Sequence, residues 1–516
     1  MHVSTTPFIP DRARVIVIGA GVAGLSTSLR LATAGLRVTL LERHDYPGGK
    51  IRTVPSDAGP VDAGPTVLTM RYVFDDLFAE AGTQLEDHVT LVPQDVLARH
   101  FWPDGSSLDL YADPQRSLRA IAAFAGPKSA QEFASFNACT RRLFSAFDTP
   151  MMQAATPRLP QLILQVMRQP RLISAMAPMR TLRQSLIRQF SDPRLAQLFG
   201  RYATYVGGAP HLSPALLALI WQAEASGVWV VRGGMHKLAE AIHQLARNKG
   251  VETRQNCHVQ EICTKHGQIT GVRTQEGDTL LADAVVYAGD PRAIATGSLG
   301  AGLRDVAAQT RDLPRSFSAR VHSFAARASG VELAHHNVFF AADPDSEFND
   351  LIAGRIPRDP TLYLCAEDRG QPDPPPALER FEIIANAPAT DIETPPQELS
   401  QWHHQIMQRM ADMGATFSPT PQVQSLTTPH HFATLFPHSL GALYGQTPHG
   451  MTAALKRPTS RTQVRGLYLA GGGTHPGAGV PMATLSARHA AEAILHDLTS
   501  TSMSPQMATH GGTSTG

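Results

Sequence analysis

Three glycines and one acid carry the strongest chemical signal in the chain. Gly19, Gly21 and Gly24 spell G-x-G-x-x-G, and Glu42 follows at the spacing, about 20 residues, at which a carboxylate meets a ribose. The first glycine permits a tight turn, the second lets backbone N–H groups approach a pyrophosphate, and the third lets a helix lie close on the preceding strand. The flanking residues supply those elements. Residues 15–18 are a short β-branched apolar run suited to a strand buried on both faces of a parallel sheet, and residues 25–34 place leucines at helical spacing. Gly35 then ends the helix, Arg37–Leu41 reads as a second strand, and Glu42 closes it. A carboxylate there hydrogen-bonds the ribose hydroxyls of an adenine dinucleotide and repels a 2′-phosphate, while the helix N-terminus faces the phosphates. A glycine-rich turn alone gives the same three letters; strand, helix and distal acid together specify a dinucleotide site.

A second concentration of glycine lies at the other end, in GLYLAGGGTHPGAGVPMATLSARHAA from Gly466 to Ala491. It reads as a buried strand over 467–470, a loop poor in side chains over 471–479, and a helix over 482–491, whose unhindered N–H groups suit an anionic group. Single acids are weaker candidates. Asp62, in VDAGPTVL, is a candidate general base, although a short acid beside glycine is more often a turn former. Glu224, in WQAEASGVWVVRGG, is a candidate proton acceptor, with a helix-end contact to solvent the preferred reading. The histidine doublets 335–336, 403–404 and 430–431 invite a metal. Adjacent rings are expected on different sides of an element, no HExxH appears and acids are sparse around them, so no metal is expected. No GxSxG stands between a strand-like run and a helix-like run, where a nucleophile elbow needs it.

The glycine pair Gly48-Gly49 with Arg52, just beyond the ribose acid, resembles the extended fingerprint of FAD-binding flavoproteins of the amine-oxidase and phytoene-desaturase superfamily. The combination GAGVAGL, Glu42, Gly48-Gly49, DAGPTVL and LYLAGGGTHPGAGVP is similar to bacterial phytoene-desaturase-type carotenoid oxidoreductases at both ends and, more weakly, in the middle. Within them the likeness is closest to the purple-bacterial branch acting on acyclic 1-hydroxycarotenoids, through GPTVLTMRYVF, VLARHFWPDGS and the C-terminal loop. Amine oxidases usually place an acid after the last glycine of that loop; Thr474 stands there, which favours the desaturase side. The resemblance implies FAD as cofactor. It implies that Gly19, Gly21, Val22, Ala23, Gly24, Glu42, Arg43, Gly48, Gly49 and Lys50 bind it together with Gly64, Pro65 and Thr66. It adds Val259, through its backbone to adenine, and Gly472, Gly473, Val480 and Met482, with a helix N-terminus under an anionic flavin carbonyl. The implied reaction removes two hydrogens across C3–C4 of an acyclic 1-hydroxycarotenoid, one as hydride to flavin N5 and one as a proton, with oxygen or a membrane quinone as electron acceptor. Alternatives left open are a phytoene or neurosporene desaturase, a redox-neutral FAD-dependent carotenoid isomerase and, more remotely, a non-enzymatic lipid-binding escort protein of the same fold.

The elements that must position these residues are sketched by length and composition. At 516 residues the chain exceeds one ordinary core. An α/β fold is expected: a discontinuous Rossmann-like FAD-binding domain over 14–95, 241–300 and 461–498, and a mixed α+β substrate domain over 96–240 and 301–460. Residues 96–112 read as a hairpin, and 315–450 as a large antiparallel sheet walling a substrate cavity. Residues 1–13 and 499–516, polar and non-periodic, are expected to be mobile tails. From 149 to 191 the chain carries Arg158, Arg168, Arg171, Arg180, Arg183 and Arg188 with no acid, five methionines, and prolines at 160, 170 and 178. That composition suits short helices at a membrane interface. No run approaches a bilayer span. The formal charge of +1 gives no field to recruit nucleic acid, and Cys139, Cys257, Cys263 and Cys365 form no CxxC. The N-terminal residues lack a signal-peptide core, so a reducing cytoplasm with peripheral attachment to the inner or photosynthetic membrane is expected.

Overall fold

The computed structural model describes residues 13–502. The opening residues form strand β1 (Arg14–Ile18), helix α1 (Val22–Thr33) and strand β2 (Arg37–Leu41). β1 is the centre of a five-stranded parallel sheet ordered Leu467–Leu469, Ala284–Tyr287, β1, β2, Glu252–Arg254. Val15, Val17 and Leu40 are almost fully buried in it, which is why this run has no polar alternation. α1 packs between the helices Val480–Ser502 and His236–Asn248 on one face. Strands from three distant parts of the chain therefore close one sheet, and the loops at its edge converge from the same three parts.

The second layer is an eight-stranded sheet in which Ser318–Gly330, Glu379–Ala387 and Leu362–Ala366 pair antiparallel. The hairpin Val96–Phe101/Ser107–Tyr111 joins it through His336–Phe339, and that junction is parallel, so the sheet is mixed rather than antiparallel throughout. The hairpin comes from more than two hundred residues upstream of the strand it joins. Its Phe101 stacks on Phe339 at 4.6 Å between ring centroids.

Helices fill the region between. Pro114–Phe147 is broken at Gly126 (φ 88°), with Pro127 starting the second half. The helices Leu159–Arg168 and Pro170–Met176 each carry a proline in the first turn, where its missing N–H costs nothing. Leu172, Leu182 and Leu186 anchor this stretch in apolar clusters, and the Arg183 guanidinium pairs with Asp345. The two terminal segments expected to be mobile need correction at their inner ends. Ala13 is buried, and 499–502 continue the C-terminal helix because Leu495 and Leu498 pack on the core; residues 1–12 and 503–516 lie outside the described residues. No helix among the described residues is long and apolar enough to cross a membrane.

Candidate active site

The local sequence dictates a cradle of bare backbone. Gly19 adopts φ +99°, and a Cβ on Gly24 would lie 1.8 Å from the Gly19 carbonyl oxygen, so helix and strand cross only because Gly24 has none. α1 starts at Gly21 with no side chain capping it, leaving its first N–H groups free to meet a ligand. The glycine pair folds back onto this turn: Gly48 N–H donates to the Ala20 carbonyl at 2.8 Å, and a Cβ on Gly49 would stand 2.9 Å from Gly21 Cα. Glu42 accepts the Ala20 N–H at 2.7 Å on one oxygen and the His44 N–H at 2.9 Å on the other. Each oxygen keeps a lone-pair site for a ribose hydroxyl. From the other end of the chain, Gly471 N–H donates to Ser486 Oγ at 2.7 Å, and the buried Arg457 guanidinium donates to the Gly472 carbonyl at 2.6 Å.

The two glycine loops, separated by most of the sequence, border one cavity of about 570 Å³. Gly19, Gly21, Val22, Ala23, Glu42, Arg43, Gly48, Gly49 and Lys50 line it, as do Gly64, Pro65, Thr66, Glu224, Val259, Gly472, Gly473 and Val480. Three of the sequence candidates do not. Gly24 acts inside the strand–helix crossing, and Met482 turns to a small apolar cluster with Met70, Val73 and Leu485. Asp62 lies outside the cavity wall, its carboxylate accepting from Met235 N–H and meeting His236 Nδ1 at 3.0 Å. An uncapped helix N-terminus, glycines whose side chains would fill the cradle and a carboxylate at the end of β2 fit FAD: backbone for pyrophosphate, acid for ribose.

Beyond the cradle the cavity opens between apolar walls that include Val67, Val321, Val338 and Ile384. Lys50 reaches inward and donates to the Leu443 carbonyl; its exposure is to the cavity interior, and loss of hydration lowers its pKa to about 8 with Arg315 and Arg457 adding repulsion against the opposing pull of Asp290. Thr66 Oγ1 and the Tyr363 hydroxyl lie 2.7 Å apart, and Tyr363 meets His336 Nδ1 at 2.6 Å. Glu224 is not at a solvent-facing helix end. It is 3% exposed and accepts hydrogen bonds from the Tyr202 hydroxyl at 2.6 Å and from Tyr205, because the helix Trp221–Ala225 is pressed onto residues 201–206. That group was missed in the sequence, although RYATY places Arg201 and Tyr205 four apart, on one face of a helical turn.

The histidines 335 and 336 do not diverge as alternation along a strand requires. His335 precedes the strand, and the two rings meet at 4.5 Å between centroids, with ligand atoms of His335, His336 and Cys365 within 4.8 Å of one another. His335 Nδ1 lies 2.7 Å from the Arg369 carbonyl and its Nε2 3.4 Å from Cys365 Sγ. Burial pushes the thiol pKa well up and that of His336 well down, so the three groups meet as a neutral, hydrogen-bonded cluster.

Behind the wall residue Thr361, Glu347 is buried with its Oε2 accepting from Thr361 Oγ1 at 2.7 Å and Asn386 beside it. Burial raises its pKa from 4.5 to about 7. A carboxyl raised on folding gives stability that is complete below pH 4.5 and lost as pH rises through about 7. That loss amounts to about 3 kcal/mol. Glu347→Gln is expected to match the parent protein near pH 4.5 and to melt higher at pH 8. Equal pH dependence of the two melting curves would contradict it.

Sheet, cradle and chamber define a flavin-dependent oxidoreductase, and the chain belongs to the flavin-containing amine oxidoreductase family, which matches residues 22–495. It is similar to the hydroxyneurosporene desaturase of Cereibacter sphaeroides, 53% identical over 489 residues covering 95% of this chain and 99% of that protein. It is also similar to the hydroxyneurosporene desaturase of Rhodobacter capsulatus, at 50% identity over 94% of this chain and 98% of that one. A solved variant of putrescine oxidase shares the fold, with a TM-score of 0.62 at 14% identity over 95% of this chain and 99% of that one.

Proposed function

We propose that this protein is an FAD-dependent desaturase that introduces the C3–C4 double bond of acyclic 1-hydroxycarotenoids. The observation that carries the reading is the continuity of one cavity from a dinucleotide cradle into an apolar chamber, in a chain so similar along its length to hydroxyneurosporene desaturases. FAD, when bound, supplies the hydride acceptor. The chain's own residues do the positioning. The glycine loops and Glu42 fix the dinucleotide, while Val67, Val321, Val338 and Ile384 shed water from an extended polyene and hold it in one lane. Asp62 and Met482 have no part in the reacting chamber in this reading, and oxygen or a membrane quinone takes the electrons.

The test is incubation of the flavin-loaded protein with 1-hydroxyneurosporene and, separately, with phytoene. A red-shifted product two hydrogens lighter is expected from the hydroxylated substrate. Absence of that shift overturns the assignment, and a shift from phytoene instead moves it to the phytoene desaturases. An isomerised product of unchanged mass supports the redox-neutral alternative.

The same reading places the protein on a membrane surface, where such a substrate dissolves. Leu164, Met167, Ile173, Met179 and Ile187 are exposed on the helices after residue 158 and the turn between two of them, interspersed with exposed Arg168, Arg180 and Arg188. Met167 is 68% and Met179 92% exposed, so charges there leave the core untouched. Met167→Glu with Met179→Glu is expected to weaken flotation with anionic vesicles by about tenfold or more, and salt to weaken it in the parent protein. Unaltered flotation of the double variant would remove these helices from the interface.

A further inference from the structure

The chamber has apolar walls and, besides the charges around the cradle, a charged corner of its own. Arg201, Thr204, Tyr205 and Glu224 all line the cavity there. The Arg201 side chain is 9% exposed, Nη1 donates to the Tyr205 hydroxyl at 3.0 Å, and Nη2 lies 4.0 Å from Glu224 Oε1, beyond hydrogen-bond reach. Nε and Nη2 have no hydrogen-bond acceptor. Burying a guanidinium costs free energy unless its N–H groups are paired, and two of these nitrogens are not. The cation is also held by its ion pair with Glu224 and lies over the Tyr202 and Tyr205 rings at 5.2 and 5.1 Å, contacts that use neither Nε nor Nη2 as a hydrogen-bond donor. Tyr202 by itself fastens Glu224 to residues 201–206 through a 2.6 Å hydrogen bond, and Tyr202 packs with Phe199 and Trp221 in the aromatic core.

We infer that Arg201, with Tyr205 and Glu224, anchors the tertiary hydroxyl of a 1-hydroxylated acyclic carotenoid. A hydroxyl both donates and accepts. Arg201 holds two unpaired donor nitrogens just beneath the cavity surface, while Tyr205 and Glu224 carry acceptor oxygen, so the corner can satisfy both halves of such a group and neither half of a hydrocarbon end. Its placement suits the chemistry. The hydroxyl-bearing carbon is two carbons from C3, so an anchor for it must stand close to the reacting bond. Arg201 and Tyr205 line the same cavity as Tyr363, whose hydroxyl lies 2.7 Å from Thr66 Oγ1 on the segment that borders the cradle. The anchor thus chooses which end of the polyene enters, and which bond is presented.

This inference rests on the hydroxycarotenoid reading, and the experiment separates the two. The parent protein and Arg201→Met, both loaded with FAD, are compared on 1-hydroxyneurosporene and on neurosporene, by kcat/KM and by equilibrium binding from quenching of tryptophan fluorescence. The parent is expected to prefer the hydroxylated carotenoid. Arg201→Met is expected to lose about 10- to 100-fold on it in both measures, as for one charge-assisted hydrogen bond, and to change little on neurosporene. An equal loss on both carotenoids, or a preserved preference, overturns the anchor while leaving the desaturase reading intact. A parent protein that neither converts nor prefers the hydroxylated carotenoid overturns both. Should Arg201→Met lose its flavin, Tyr205→Phe carries the same comparison: a reduced preference supports the anchor, and an unchanged one overturns it.

Discussion

Gly21→Val is expected to fold and to purify colourless, whereas Gly24→Val is expected not to accumulate as a folded protein. The two glycines belong to one motif and differ in what surrounds them. A Cβ on Gly21 meets only Gly49 Cα, at 3.9 Å, an ordinary contact, and the Gly21 backbone (φ −68°, ψ 172°) is open to any residue. The protein therefore accommodates a side chain there, and the space it fills is the approach to the uncapped N–H groups of α1. Affinity for FAD is expected to fall at least about a thousandfold, the equivalent of roughly 4 kcal/mol. At Gly24 the first added carbon stands 1.8 Å from the backbone oxygen of Gly19, so nothing flexible can give way. Helix and strand must separate, at a cost of about 3 kcal/mol or more. Flavin absorbance per chain and a thermal melt on each variant check both halves. Stoichiometric FAD on folded Gly21→Val would contradict the cradle, and an unaltered melt for Gly24→Val would contradict the crossing.

The opening βαβ unit was legible because its determinants are local. An apolar β-branched run, glycines at fixed offsets and an acid at the strand end each act within a few residues, and β2 falls on the residues the pattern marks. The convergence of the C-terminal glycines on the same cavity was readable only through family resemblance, since no local rule brings residue 472 to residue 21. The parallel junction between His336–Phe339 and Val96–Phe101 was not legible at all: period-two alternation gives a strand but not its neighbour. Glu224 shows the same limit in the site. WQAEAS reads as a helix end, and only tertiary packing decides that its acid faces two phenols rather than water. Met482 lies about 200° round the C-terminal helix from Val480, where that helix begins, so Val480 meets the cavity and Met482 packs on the cluster behind it.

Asp62→Ala is expected to destabilise the protein by about 3 kcal/mol and to leave the turnover of the flavin-loaded enzyme unchanged. Every oxygen of this carboxylate is committed to structure. One accepts from Met235 N–H and the other meets His236 Nδ1 at 3.0 Å, so the acid supplies the cap that the helix His236–Asn248 lacks within its own sequence. The approach needs Gly234, where a Cβ would lie 2.9 Å from Asp62 Oδ2. The backbone of Asp62 is held too, its N–H donating to Glu367 Oε1 at 2.8 Å and its carbonyl accepting from Ser323 Oγ at 3.1 Å. Removing the side chain leaves the Met235 N–H and the His236 ring buried without their acceptor while the apolar chamber, lined by other residues, keeps its shape. Asp62→Asn, which retains one acceptor oxygen, is expected to fall between the two in a denaturant titration. A variant with undiminished stability and turnover reduced a hundredfold would return Asp62 to the chemistry and would mean that the chamber's wall opens to it during the reaction.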